Sequence, residues 1–113
     1  MKRFILLLFI SVFSISSFAQ SNIKTETFKV EGNCGMCKKR IEESAYIKGV
    51  KRAEWNKESQ ILTVIYRSSR TTLEDIAQSI AKAGHSSEKA ESSEKDYNRL
   101  PTCCQYKTQS CDH

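Results

Sequence analysis

The chain has 113 residues, of which 39% are hydrophobic and 27% charged, with a formal net charge of +5. That length admits one small domain with a modest core. The basic residues are dispersed among glutamates and form no helix-long stripe with stacking aromatics, which argues against a nucleic-acid-binding surface.

Residues 1–19 read as an address. Lys2 and Arg3 form a basic start, Phe4 to Val12 an apolar centre, and Ser17-Phe18-Ala19 a small-x-small cleavage site. The apolar run is broken by serines and falls short of the roughly 20 residues a membrane span needs, so a cleaved signal peptide and a periplasmic or secreted protein are predicted. No Cys follows the small residues, so there is no sign of bacterial lipoprotein acylation. Without Lys2 and Arg3, two of the 18 basic residues, the mature net charge is +3. All five cysteines lie beyond this segment, and an odd count in an exported protein implies a thiol that is free, metal-bound or shared with another molecule.

Ile23 to Val30 is rich in β-favouring residues and reads as a strand. After a loop, the spacing of Cys37, Ile41, Ala45 and Lys48 is helical, and Gly49 supplies the stop expected past a helix end. Val50 to Asn56 reads as a strand with Ala53 and Trp55 on one face, and Gln60 to Arg67 as another; the short Lys57-Glu58-Ser59 turn between them predicts a hairpin. Thr71-Thr72-Leu73-Glu74 matches a capping box, and Leu73, Ile76, Ala77, Ile80 and Ala83 form an apolar stripe ending at Gly84. His85 to Ala90 is a weak candidate for a short edge strand. This order predicts an α+β, ferredoxin-like βαββαβ sandwich, with two helices on one face of an antiparallel sheet. Its core would contain Ile41, Trp55, Leu62, Val64, Ile76 and Ile80. The domain is drawn over residues 20–90, followed by a polar linker and Cys-rich tail over 91–113.

The chemistry concentrates at Gly32-Asn33-Cys34-Gly35-Met36-Cys37, where a strand hands over to a helix. Thiolates are preferred ligands of soft ions, and a two-residue spacer lets Cys34 and Cys37 turn toward one ion. The same Cys-x-x-Cys pair serves thiol-disulfide exchange, the main rival reading, and a tight structural disulfide is a third. Against the redox reading, a thioredoxin-like site faces a cis-proline in a longer fold, whereas Pro101 in the tail is the chain's one proline. No nucleophile-base pattern, phosphate-cradling glycine loop or carboxylate pair marks an enzyme.

With these residues in place, the chain resembles the heavy-metal-associated domain family of copper chaperones, amino-terminal modules of copper-transporting ATPases and periplasmic mercury-binding proteins. The likeness spans about residues 23 to 90. It implies that Cys34 and Cys37 bind the ion together, and that Gly49-Val50, Trp55 and Ala83-Gly84 occupy the helix-to-strand turn, the central strand and the exit of the second helix. Relatives usually carry Gly-Met-Thr or Gly-Met-Asp before the first Cys; this chain has Gly32-Asn33 and lacks that supporting Met, a role left to Met36. Cu(I) is favoured as the ion because copper handling is more widespread among relatives, with Hg(II) or Zn(II) as alternatives. Zn(II) ranks lower because it prefers four ligands. A metal-transporting membrane protein or another metal-binding domain is the implied partner.

His85 falls where relatives place a residue beside the metal loop, so it is a candidate third ligand, weighed evenly against a solvent-facing turn histidine. Met36 reads as loop packing rather than a thioether ligand. Lys38, Lys39 and Arg40 suit either charge balance for a bis-thiolate or a solvated helix face. In the tail, Cys103, Cys104, Cys111 and His113 place four soft or borderline ligands within eleven residues. They are candidates for an accessory metal site, for a disulfide, or for thiols that relay metal to or from Cys34 and Cys37. A bridge between adjacent Cys103 and Cys104 is disfavoured by the backbone it would require.

Overall fold

The computed structural model describes residues 22–33 and 35–107. The segment expected to be a signal peptide, Cys34, Cys111 and His113 lie outside the described residues. Three strands, β1 (Ile23–Lys29), β2 (Val50–Trp55) and β3 (Ile61–Arg67), form an antiparallel sheet in the order β1-β3-β2. Helices α1 (Gly35–Ala45) and α2 (Leu73–Lys82) follow β1 and β3, as the split β-α-β order requires.

Period-two alternation in β3 buries Leu62, Val64 and Tyr66. Ala53 and Trp55 of β2 and Phe28 of β1 point to the same side, where Cys37, Ile41 and Ala45 of α1 meet Ile76, Ala77 and Ile80 of α2. All six core residues expected from the pattern are buried. Glu42 of α1 accepts the Trp55 amide at 2.8 Å and Lys38 donates to the Trp55 carbonyl at 3.0 Å. Two side chains of α1 thereby satisfy backbone groups of β2, which stands at the sheet edge.

Some boundaries differ from expectation. α1 stops at Ala45 rather than Lys48, and Gly49 lies in the following turn with φ +100°. The cap of α2 is Thr72, whose hydroxyl accepts from the Asp75 amide; Thr71, the first residue of the expected box, is buried instead. Gly84 follows α2 at φ +105°, the left-handed residue expected just past a helix end. The edge strand over His85–Ala90 shortens to one antiparallel bridge, Val30 with Ser87. The Ser87 hydroxyl accepts from the Lys89 and Ala90 amides at 3.2 Å each, turning the chain before a ladder can extend.

From Glu91, where a linker was expected, the chain packs onto the sandwich. Ser93 caps a one-turn helix α3 (Glu94–Asn98), and a 3₁₀ turn follows at Thr102–Cys104. Tyr97, Leu100 and Cys104 join the same hydrophobic core as α1 and the sheet. Among the described residues no helix is long and apolar enough to cross a membrane.

Candidate metal centre

The loop between β1 and α1 is held from three directions. Trp55 Nε1 donates to the Val30 carbonyl at 3.0 Å, His85 Nδ1 to the Glu31 carbonyl at 2.8 Å, and Gln60 Nε2 to the Gly32 carbonyl at 2.7 Å. The Glu31 amide donates to the Ser86 carbonyl at 2.9 Å. Gly32 is required by space: a Cβ there would lie 3.0 Å from Ile41 Cδ1 and 3.1 Å from the Trp55 ring. The indole thus fills ground under the loop, and Met36 does not. It is half exposed, which corrects the expectation that it packs beneath the cysteines.

Cys37 sits in the first turn of α1 and is fully buried. The tail returns to this point. Cys104 is also fully buried and packs in the same hydrophobic core as Cys37. Burial pushes the Cys104 thiol up from the ordinary thiol range, and the contacts with Cys37 and then Cys103 add to the effect. Cys103 Sγ is 3.9 Å from Cys104 Sγ and 3.4 Å from Met36 Sδ, toward which its S–H points. Three thiols and a thioether therefore gather at the start of α1. Among the described residues no three His, Cys, Asp or Glu side chains are arranged to hold an ion by themselves.

His85 is 0% exposed, which overturns the solvent-facing alternative. Its Nδ1 donates to a carbonyl, so Nε2 carries the lone pair, and Nε2 is buried without a hydrogen-bond partner. Burial, aided by the Arg40 charge and opposed by the Glu31 hydrogen bond, pushes its pKa down to about 4, so the ring is neutral at pH 7. Among the described residues, which leave out Cys34, it forms no group of three possible metal ligands. It stacks instead on Tyr106, with centroids 5.6 Å apart and planes 23° from parallel.

The basic cluster is divided in use. Lys38 pairs with Glu42 and Trp55, and Arg40 donates to the Ala83 carbonyl at 3.3 Å, tying α1 to the end of α2. Lys39 is exposed.

The residues that seat the tail were not singled out from the sequence. Tyr106 accepts from the Ser86 amide and donates to the Gly84 carbonyl, both at 3.0 Å, and meets Tyr97 edge-on with centroids 5.1 Å apart. Leu100 packs on Gly84, whose added Cβ would lie 2.7 Å from Leu100 Cγ. Tyr97, Leu100 and Tyr106 are the apolar residues in an otherwise polar stretch, the one signal from which docking was readable.

Solved structures share this fold. A structure described as the CopZ metallochaperone is 30% identical, with 57% of this chain and 98% of that one covered and a TM-score of 0.55. The N-terminal domain of a potential copper-translocating P-type ATPase from Bacillus subtilis, in its Cu(I)-loaded state, is 28% identical over 57% of this chain and 84% of that one, TM-score 0.55. Oxidized MerP from Ralstonia metallidurans CH34 matches at 22% identity over 58% and 94%, TM-score 0.55, a likeness of fold alone. No curated protein matches the chain. The family model for the heavy-metal-associated domain matches residues 27–86, which include the whole Cys loop, and the chain belongs to that family.

Proposed function

We propose that the protein is an exported carrier of a soft metal ion, Cu(I) before Hg(II) or Zn(II), and not an enzyme. It would hold the ion between Cys34 and Cys37 and hand it to a metal-transporting membrane protein or another metal-binding domain. The observation that carries the reading is the family match across the Cys loop, with Cys37 buried in the first turn of α1. The likeness to a metallochaperone and to a copper-ATPase module supports copper and a transporter partner.

The chemistry is exchange. A low-coordinate bis-thiolate binds Cu(I) tightly because both partners are soft. It can still admit a thiolate from an incoming protein, so the ion moves through shared ligands without being released to water. Each thiol gives up its proton as its sulfur–metal bond forms. Export rests on the basic, apolar and small-x-small order of residues 1–19.

The test is Cu(I) uptake by the reduced protein in competition with a chromophoric Cu(I) chelator, beside a Cys34→Ser/Cys37→Ser variant. One equivalent held by the wild type and lost in the variant is the expected result. Absence of tight binding by the reduced wild type would overturn the reading and favour the redox or structural one.

A further inference from the structure

Lys51, Arg67 and Arg70 are separated in the sequence, and the fold gathers them around one cleft of about 510 Å³ whose other lining residues are Gly49 and Val50. No carboxylate lines it; Glu74 and Asp75, the acidic residues that follow Arg70 in sequence, belong to the first turn of α2. All three cations are exposed. Among the described residues the ion pairs are Lys38 with Glu42, Arg52 with Glu54 and Arg99 with Asp96, so none of the three is neutralised in this way. Their placement is set by the backbone. The register between β2 and β3 shifts between Val50 and Arg52, which leaves Lys51 as a bulge residue, and a bulge re-aims the side chain it carries. Gly49 turns at φ +100°, and a Cβ there would stand 2.9 Å from that of Arg70. The Gly49 carbonyl accepts from the Arg67 amide at 2.8 Å, and the Arg67 carbonyl accepts from the Arg70 amide at 2.9 Å.

The apolar neighbours narrow the choice of partner. Of the large hydrophobic side chains exposed among the described residues, Ile23, Met36 and Tyr46, two stand at this end of the sandwich. Ile23 lies opposite Arg67 in the β1–β3 ladder, and Tyr46 follows α1 on the way to Gly49. Cations beside an aromatic and an aliphatic side chain suit the interface of a bilayer, where guanidinium and ammonium groups meet lipid phosphates and apolar side chains enter the headgroup layer. A small free anion would use the cations alone and leave Ile23 and Tyr46 in water.

We propose that this end of the sandwich docks on an anionic phospholipid surface, with Lys51, Arg67 and Arg70 on the lipid phosphates. β2 runs from Val50 at this end to Trp55 beside the Cys loop, about 17 Å of strand. Docking therefore turns the metal loop away from the bilayer and leaves it open to a partner, and it does not depend on which ion the loop carries.

Co-sedimentation of the mature protein with vesicles of equal parts phosphatidylglycerol and phosphatidylcholine, beside vesicles of phosphatidylcholine alone, measures the docking. Binding to the anionic vesicles alone, weakening as salt rises, is expected. Loss of one cation at a membrane surface lowers partitioning about fivefold, so Lys51→Gln/Arg67→Gln/Arg70→Gln should bind about a hundredfold more weakly. Lys82→Gln/Lys89→Gln/Lys95→Gln removes the same charge from exposed positions elsewhere and should bind nearly as well as wild type. Circular dichroism checks that both variants keep their fold. Equal weakening of the two variants would assign the effect to net charge and overturn the proposal, as would absence of binding by the wild type. Vesicles left unbound while poly-glutamate or inorganic phosphate is held through the same three residues would overturn it in favour of an acidic protein or a free anion. Cu(I) uptake by the same samples reports on the loop separately, so failure of one reading leaves the other standing.

Discussion

Lowering the pH from 7 to 5 should remove about 2 kcal/mol of stability through His85 alone. The unfolded ring titrates near 6.5 and the folded one near 4, because protonation would bury a charge beside Arg40. The unfolded state therefore binds more protons over this window, and stability falls as pH drops below 6.5, levelling off below about 4. The limiting slope is about 1.4 kcal/mol per pH unit, and most of it is reached between pH 6 and pH 5. The Asp96 carboxyl is held below its ordinary value by its hydrogen bond with Ser93 and by Arg99. Urea unfolding of the reduced, metal-free protein at the two pH values, followed through the fluorescence of buried Trp55, measures the loss. In His85→Gln the same pH change should cost about 2 kcal/mol less. An identical pH dependence in both proteins would show that His85 is not held neutral by burial, and the reasoning about its environment would fall.

Three substitutions test whether the tail belongs to the folded core. Leu100→Ala removes a side chain only 3% exposed and should cost about 2–5 kcal/mol by chemical denaturation; a loss near zero would mean the tail contributes nothing to stability. Tyr106→Phe leaves the Gly84 carbonyl and the Ser86 amide without their partner and should cost about 1–3 kcal/mol by the same measurement. Gly84→Ala combines a left-handed backbone with a Cβ 2.7 Å from Leu100, and a lowered thermal midpoint is expected; an unchanged midpoint would refute the close packing of Leu100 on this turn.

The residues that filled the sandwich were legible because their physics is local. Alternation in β3 places Leu62, Val64 and Tyr66 on one face whatever the rest of the chain does, and the 3.6-residue period does the same for Ile76, Ala77 and Ile80. The Cys loop was legible for the same reason, since two thiols three residues apart need no distant partner to suggest a soft ion. Boundaries were less so: one residue separates Thr72 from the expected cap at Thr71, and sequence offers both hydroxyls equally.

What the sequence determined by itself was the α+β order, the core faces and the position of the Cys-x-x-Cys motif. Tertiary structure decided the surroundings of His85 and the place of the tail. A histidine after a helix-ending glycine reads as a surface residue until Tyr106, 21 positions later, stacks on it and closes it from water. Cys104 reads as one of several thiols in a polar tail until Leu100 and Tyr106 seat on the turn after α2 and bring it into the core that holds Cys37. Both depend on contacts between residues far apart in the chain, and hydrophobic periodicity over a short window carries no information about which distant surfaces will meet.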